Sequence, residues 1–336
     1  MKRNTDLDFI RAILIILMIL IHIVSFGNAY PQLKAGILSF MMPTFLIITG
    51  YLVNIEKTGR QMGNYLKCLA LPYVIMVTGF SVLSYYMPVR DGITELSLSQ
   101  IGEKIFVTSI GPYWFIQTMI ICGTLYYFCF SGRNWNDLHK NYTKRDTYAS
   151  LFAFAVTLLL ISETPALSAS AAAYYFIGVV IRQSKTEWSK LFRREFFAIF
   201  LWFYLLCHED WYDWGSLAIV FSCWCCISTL LFLQHLLEAP ERFRDFSPII
   251  EKVAKVTNRI KDTLLYIGRN TLPIYLFHPI FTMAAKFYHP LFAWDPSEIC
   301  FALFTVILAI LGSIAIARIM EKTKLAYLFG KEKILR

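Results

Sequence analysis

Residues 7–26 read LDFIRAILIILMILIHIVSF. A run of about 20 mainly apolar residues matches the thickness of a bilayer core and predicts a transmembrane helix. Ionisable side chains inside such a run are costly, so they usually face a protein interior or a water-filled cavity. The stretch therefore predicts a first membrane helix that carries polar side chains for a purpose other than crossing the membrane.

Arg11 and His22 lie on one predicted face of this helix. At ~100° per residue, the helix completes three turns between them with only about 20° left over. At ~1.5 Å per residue, they differ in depth by roughly 16 Å. The sequence thus predicts a guanidinium near the start of the helix and a titratable imidazole deep in the membrane.

Both side chains also have a structural explanation. His22 alone is equally well explained by a hydrogen bond across a helix interface. Arg11 can reach lipid headgroups, or it can pair with Asp8 three residues earlier. The functional interpretation makes His22 a general base and Arg11 an anion-binding group, and their shared face favours it.

The composition predicts a polytopic membrane protein. Of the 336 residues, 57% are hydrophobic and only 16% are charged, whereas a soluble domain carries about 25% charged residues. The net charge of +9 is compatible with nucleic-acid binding, but the placement of the charges in alternate loops excludes that class. The cysteines lie mostly in apolar runs, which is typical of small packed side chains, and we expect neither a metal site nor disulfides.

The hydrophobic pattern predicts an all-α membrane bundle of about ten transmembrane helices. The first is expected to be retained, because Asp6, Asp8, Arg11 and His22 interrupt the pattern of a cleaved signal. The predicted spans are roughly 7–26, 37–55, 65–87, 111–130, 147–162, 165–182, 196–208, 215–236, 264–288 and 297–319.

The basic residues predict the orientation of these helices. With the N-terminus inside, most of the 32 Lys and Arg residues fall in cytoplasmic segments, as the positive-inside rule requires. The outer loops keep only Lys34, Arg90, Lys104 and Lys286. We therefore predict that both termini are cytoplasmic, that residues 1–336 form one membrane domain, and that residues 320–336 form a cytoplasmic tail.

Two loops contain further predicted helices. The long outer loop 88–110 can hold a short amphipathic helix. The inner loop 237–263 places Ile249, Ile250, Val253 and Val256 at helical spacing among charged residues. That pattern predicts an amphipathic helix along the inner membrane surface.

The ninth predicted span contains a second polar group. Residues 266–279 read YIGRNTLPIYLFHP, and Pro273 and Pro279 predict a kinked or broken helix. His278 lies part-way to the outer side, where it can approach the depth of His22, or can simply satisfy a carbonyl freed by a proline.

At the outer end of the fourth span, Trp114 is explained either as a membrane anchor or as a platform for a sugar ring.

These motifs resemble the acyltransferase 3 family of multi-pass membrane enzymes, over most of the chain. Arg11 and His22 fit its Arg-x10-His motif, residues 45–52 (FLIITGYL) are similar to its apolar run, and Trp114-Phe115-Ile116 is similar to its Trp-Phe-Leu element. Residues 268–279 resemble its late helix motif. The chain departs from the family in residues 60–73, where only Arg60 and Lys67 replace a common arginine cluster.

The resemblance implies transfer of an acyl group, expected to be acetyl, from cytoplasmic acetyl-CoA to a hydroxyl of a cell-surface glycan or its lipid-linked precursor. It places the protein in the cytoplasmic (inner) cell membrane among lipids, and homo-oligomerisation stays open. The implied catalytic residues are His22, as a base or a transient acyl carrier, and His278 in support. Donor binding falls to Arg11, Arg60 and Lys67, and acceptor binding to Trp114 and Tyr275.

Two other functions fit the same residues. A transporter or flippase of a lipid-linked saccharide would also use intramembrane Arg and His, a broken helix and outer aromatic residues. Such a protein would not release CoA from a thioester. A non-catalytic scaffold for polysaccharide assembly would tolerate replacement of both His22 and Arg11.

Overall fold

The computed structural model describes residues 4–87, 89, 91–130 and 144–336, without the side chains of 144, 145 and 245. Within those ranges the chain forms helices and no strands, which confirms the all-α fold. Several basic residues that entered the orientation argument lie outside the described residues, namely Lys2, Arg3, Arg90, Arg133 and Lys140.

Every predicted span coincides with at least one helix. Five helices are long and apolar enough to cross a membrane by length and composition, among the described residues: Pro31–Leu52, Gly59–Tyr86, Gly111–Phe130, Leu217–Arg242 and Ile299–Lys322. The helices in chain order are α1 Thr5–Ile21, α2 Val24–Ala29, α3 Pro31–Leu52, α4 Gly59–Tyr86, α5 Leu98–Phe106, α6 Trp114–Phe130, α7 Lys144–Ser162, α8 Ala169–Gln183, α9 Trp188–Leu191, α10 Phe197–Leu206, α11 Leu217–Arg242, α12 Pro248–Arg269, α13 Thr271–Tyr288 and α14 Ile299–Lys322.

The chain divides into two compact units. The first comprises Met1–Phe45, Thr186–Ile319 and Leu335–Arg336, and the second comprises Leu46–Lys185 and Met320–Ile334. The sequence predicted one membrane domain over residues 1–336. Whether the two units work as one domain stays a prediction.

In the first unit, α1 packs against α11, α12 and α13. The closest approach is at Gly268, where an added Cβ would lie 1.7 Å from the carbonyl oxygen of Asp8. Only glycine leaves room for that contact. It fixes the start of α1 against the end of α12, directly before the chain enters α13.

The second unit has a similar close contact between α3 and α8. A Cβ on Gly50 would lie 2.2 Å from the carbonyl oxygen of Tyr175, and one on Gly178 would lie 2.1 Å from that of Ile47. Gly50 belongs to the FLIITGYL stretch. Backbone packing therefore explains why glycine stands at this position of the motif.

The first and ninth spans differ from the prediction. Residues 7–26 are not one helix, because α1 ends at Ile21 and α2 begins at Val24. The ninth span is broken as predicted, but at Asn270 and not at either proline. Pro273 lies in the first turn of α13, where a helix needs no backbone N–H, and α13 continues through Pro279.

Both predicted amphipathic helices are present. In the loop 88–110, which is predicted to be outer, α5 spans Leu98–Phe106. In the loop that is predicted to be inner, α12 begins at Pro248 and extends to Arg269, and Ile249, Val253 and Val256 are exposed on it. The helical spacing is therefore confirmed, whereas its position along a membrane surface stays a prediction.

Candidate functional site

His22 and His278 are neighbours in the first unit. Their ring centroids are 5.3 Å apart and the ring planes are inclined by 71°. Arg11, three turns earlier on α1, contacts Thr271 at the start of α13. Arg11 and His22 therefore both contact the segment that carries Thr271 and His278. This agrees with the helical spacing, which places Arg11 and His22 on one face of α1.

His22 ends its own helix. Its Nδ1 lies 2.6 Å from the carbonyl oxygen of Met18, which is the acceptor that the His22 backbone N–H would use in a continuous helix. That N–H instead donates to the carbonyl of Ile19 at 3.1 Å. Since a carbonyl can only accept, Nδ1 must carry the proton, and neutral His22 has its lone pair on Nε2.

His278 is held in the same way. Its Nδ1 lies 2.8 Å from the carbonyl oxygen of Tyr275, the group that Pro279 leaves without its helical N–H partner. The predicted structural role of His278, to satisfy a carbonyl that a proline leaves free, is therefore present. It also places the lone pair of neutral His278 on Nε2, which is buried without a hydrogen-bond partner among the described residues.

The two imidazoles therefore share one arrangement. Each uses Nδ1 to bind its own helix, and neither Nε2 has a hydrogen-bond partner among the described residues. His278 is fully buried, whereas His22 is partly exposed. A ring fixed through Nδ1 with a free Nε2 is the arrangement that a general base or a nitrogen nucleophile needs.

Arg11 lies at the break between α12 and α13. Its Nη2 donates to the hydroxyl of Thr271, and its Nη1 lies 3.8 Å from Oδ1 of Asp8. The predicted Asp8 pair is therefore present. The Arg11 side chain remains 25% exposed, so its guanidinium is accessible as well as anchored.

Arg269 is a residue to which the sequence analysis gave no role. Its Nε is buried and has no hydrogen-bond partner among the described residues. The next residue, Asn270, has its amide nitrogen 2.9 Å from the carbonyl of Tyr266, and its Oδ1 accepts from the backbone N–H of Arg336 at 2.8 Å. An arginine inside a predicted span was the available signal, because such residues are rare and usually functional.

The remaining predicted site residues fall in both units. In the first, buried Tyr275 has its ring centroid 5.8 Å from that of His278. In the second, Arg60 and Lys67 are exposed on α4, seven positions and about two helical turns apart, and Trp114 is half-buried at the start of α6. The roles of Arg60, Lys67 and Trp114 stay predictions.

The described residues contain no group of three or more His, Cys, Asp or Glu side chains that could hold a metal ion. Cys223 and Cys226 have the C-x-x-C spacing, but both are free and buried in α11. Packing between helices accounts for them.

The family is shown by a comparison of sequences. The acyltransferase 3 family model, described as an acyltransferase domain, matches residues 4–318. The match covers nearly the full chain and confirms the resemblance, and the chain belongs to this family. A search among curated proteins gave no match, and neither did a search among solved structures.

Proposed function

We propose that this acyltransferase moves an acetyl group from cytoplasmic acetyl-CoA to a hydroxyl of a cell-surface glycan or its lipid-linked precursor. The observation that carries the proposal is the contact between His22 and His278, each held through Nδ1 with Nε2 kept for another partner. Family membership supports the class of reaction. The donor, the acyl group, the acceptor and the inner membrane as location are parts of the proposal.

The direct form of the reaction uses Nε2 of His22 as the base. Nε2 takes the proton of the acceptor hydroxyl while that oxygen attacks the thioester carbonyl. The carbon–sulfur bond then breaks, and the CoA thiolate leaves and receives the proton from His22. The products are an ester and free CoA, and His22 returns to its neutral form.

A two-step form uses the same atom as the nucleophile. Nε2 attacks the thioester and forms an acyl-imidazole, and CoA leaves. The acceptor hydroxyl then attacks the acyl carbon, the bond from that carbon to Nε2 breaks, and the hydroxyl proton passes to the CoA thiolate, which leaves neutral His22 and free CoA. In both forms His278 supports His22 from the adjoining helix, and Tyr275 contributes to the wall beside it.

The acyl donor is assigned to the part of the site that contains Arg11 and Arg269. Arg11 contacts the donor phosphate or the pantetheine arm, since its guanidinium is anchored by Asp8 and Thr271 yet accessible. Arg269 is added to the donor site, because its Nε is buried and has no hydrogen-bond partner within the described part of the chain. Arg60 and Lys67 remain proposed donor contacts and Trp114 a proposed acceptor contact.

We propose the ten-span arrangement with both termini cytoplasmic as the setting for this reaction. Contacts within the first unit support it, because they join segments that the prediction puts on the same side. Arg194 pairs with Asp6, and both belong to segments that are predicted to be inner. On the outer side, the hydroxyl of Tyr30 donates to the carbonyl of Ser297 at 3.0 Å.

The experiment measures free CoA released from acetyl-CoA by the purified protein in lipid, offered extracts of cell-surface glycans. We expect release that requires both the glycan and His22. A transporter or flippase would move a lipid-linked saccharide without consuming the thioester. No release by well-folded protein with several acyl donors would contradict the proposal and favour that second function.

A further inference from the structure

Two arginines converge on one imidazole nitrogen in the first unit. Nη1 of Arg194 lies 3.2 Å from Nδ1 of His235, and Nη2 of Arg242 lies 3.4 Å from the same atom. A guanidinium has only donors, so Nδ1 of His235 is the acceptor for both. The two guanidinium groups therefore lie close together, because both contact the same nitrogen atom of His235.

The pair has little negative charge to balance it. Arg194 lies 3.6 Å from Oδ1 of Asp6, and Arg242 has no carboxylate partner among the described residues. Glu241, next to Arg242 in the chain, pairs with Arg244 and accepts from Asn258. Glu251 pairs with Lys255 at 2.7 Å. The arrangement of Arg194 and Arg242 is therefore suited to an anion that can accept from two guanidinium groups, as a phosphate does.

A cavity lined by residues that follow or flank Arg242 along the chain has room for more than a phosphate. Glu241 and Arg244, close to Arg242 in the chain, line a cavity of about 640 Å³, together with Phe246, Ser247, Pro248 and Glu251. The ring of Phe246 is exposed and offers a flat apolar face on which a base can stack. A cavity of this size is in the range that holds small ligands.

The two arginines, Arg194 and Arg242, also lie at the N-terminal end of α1, opposite to the end that carries His22. Asp6, which pairs with Arg194, is in the first turn of that helix, and His22 closes its last turn. The two are roughly 24 Å apart at ~1.5 Å per residue. A ligand with phosphates at one end and a thioester at the other, joined by an extended arm along α1, would reach both places and pass Arg11.

We propose that Arg194 and Arg242 bind a phosphate of the nucleotide part of the acyl donor. This inference rests on the proposed function, which supplies a thioester donor with a nucleotide. The headgroup of an anionic lipid offers the same phosphate chemistry. The cavity and the exposed ring of Phe246 favour the nucleotide, since a headgroup has no base to place there.

The test is equilibrium binding of coenzyme A to the purified full-length protein in phosphatidylcholine nanodiscs. We expect Arg194→Gln and Arg242→Gln each to weaken binding about tenfold, because each removes a charge-assisted hydrogen bond. Binding of pantetheine, which has no phosphate, should not change. Arg242→Lys should keep part of the affinity, and all variants should show the melting temperature of the wild type.

Arg193→Gln is the matched control, since it removes the same charge one residue from Arg194. If Arg193→Gln weakened coenzyme A binding equally, the effect would come from general surface charge, and the proposed site would be wrong. Unchanged coenzyme A binding in both Arg194→Gln and Arg242→Gln would also overturn the site. In nanodiscs that contain phosphatidylglycerol, arginine-dependent retention of that lipid with unchanged coenzyme A binding would assign the site to the headgroup and overturn the nucleotide. Binding requires no turnover, so arginine-dependent binding without acyl transfer would contradict only the proposed function.

Discussion

At the scale of single residues, the two histidines show how much the sequence can predict. Spacing alone placed Arg11 and His22 on one face, and their contacts with Thr271 and His278 agree with it. The approach of His22 to His278 was only one of two alternatives, because depth along two helices leaves their relative rotation undefined. The end of α1 at His22 was not predicted, because it depends on a side chain that takes the helical acceptor Met18.

Arg11 is expected to act mainly on binding of the donor. We expect Arg11→Ala to raise the KM for acetyl-CoA about tenfold, because an anchored guanidinium that contacts the donor is lost. The effect on kcat should be smaller, since the histidine pair is unchanged. Steady-state kinetics with a saturating acceptor measure both constants.

Arg259→Ala is the control, because Arg259 is an exposed arginine on α12 without a proposed role. It should leave both constants unchanged. An unchanged KM in Arg11→Ala would mean that Arg11 is structural and that its contacts with Asp8 and Thr271 are its whole function.

At the scale of helices, the hydrophobic pattern predicted where helices occur but not where they break. The break in the ninth span falls at Asn270, whose side-chain amide lies 2.9 Å from the carbonyl of Tyr266. The prolines suggested a break because each lacks an N–H. Pro273 falls in a first turn that needs none, and the carbonyl freed by Pro279 is taken by His278. Only the three-dimensional contacts show these compensations.

The contact between α1 and α12 gives the second prediction. Gly268→Ala would place a Cβ against the backbone of Asp8, where no flexible side chain can move aside. We expect a loss of about 1–3 kcal/mol in stability. We also expect a fall in kcat, because Thr271 and His278 follow directly on the displaced segment. Thermal unfolding in detergent and the CoA-release assay measure the two effects.

Gly63→Ala on α4 is the matched control, since its added Cβ would meet nothing within 4 Å. Alanine is the better helix former, so this variant should be neutral or more stable by up to about 1 kcal/mol. Equal behaviour of the two variants would mean that α1 and α12 tolerate separation, and that the close approach does not position the site.

At the scale of the whole molecule, the hydrophobic composition predicted the class of protein correctly, whereas the orientation predicted from the charges stays a prediction. An all-helical chain with several membrane-length apolar helices follows from the hydrophobic pattern. The division into two compact units was not predicted, because the boundaries at Phe45 and Ile319 fall inside the continuous helices α3 and α14 and leave no linker composition to detect. The motifs identified the family, while the acceptor depends on side chains whose identities the family pattern does not fix.

The central claim is that His22 and His278 act together in acyl transfer, and a double-mutant cycle tests it most directly. The measurement is acceptor-dependent CoA release by the wild type, His22→Ala, His278→Ala and the double variant in lipid, each checked for its melting temperature. We expect His22→Ala to lower kcat by at least about 100-fold, and the double variant to be no slower than His22→Ala, since residues that act as a unit are not additive. Normal release by folded His22→Ala, or losses that multiply in the double variant, would contradict the claim.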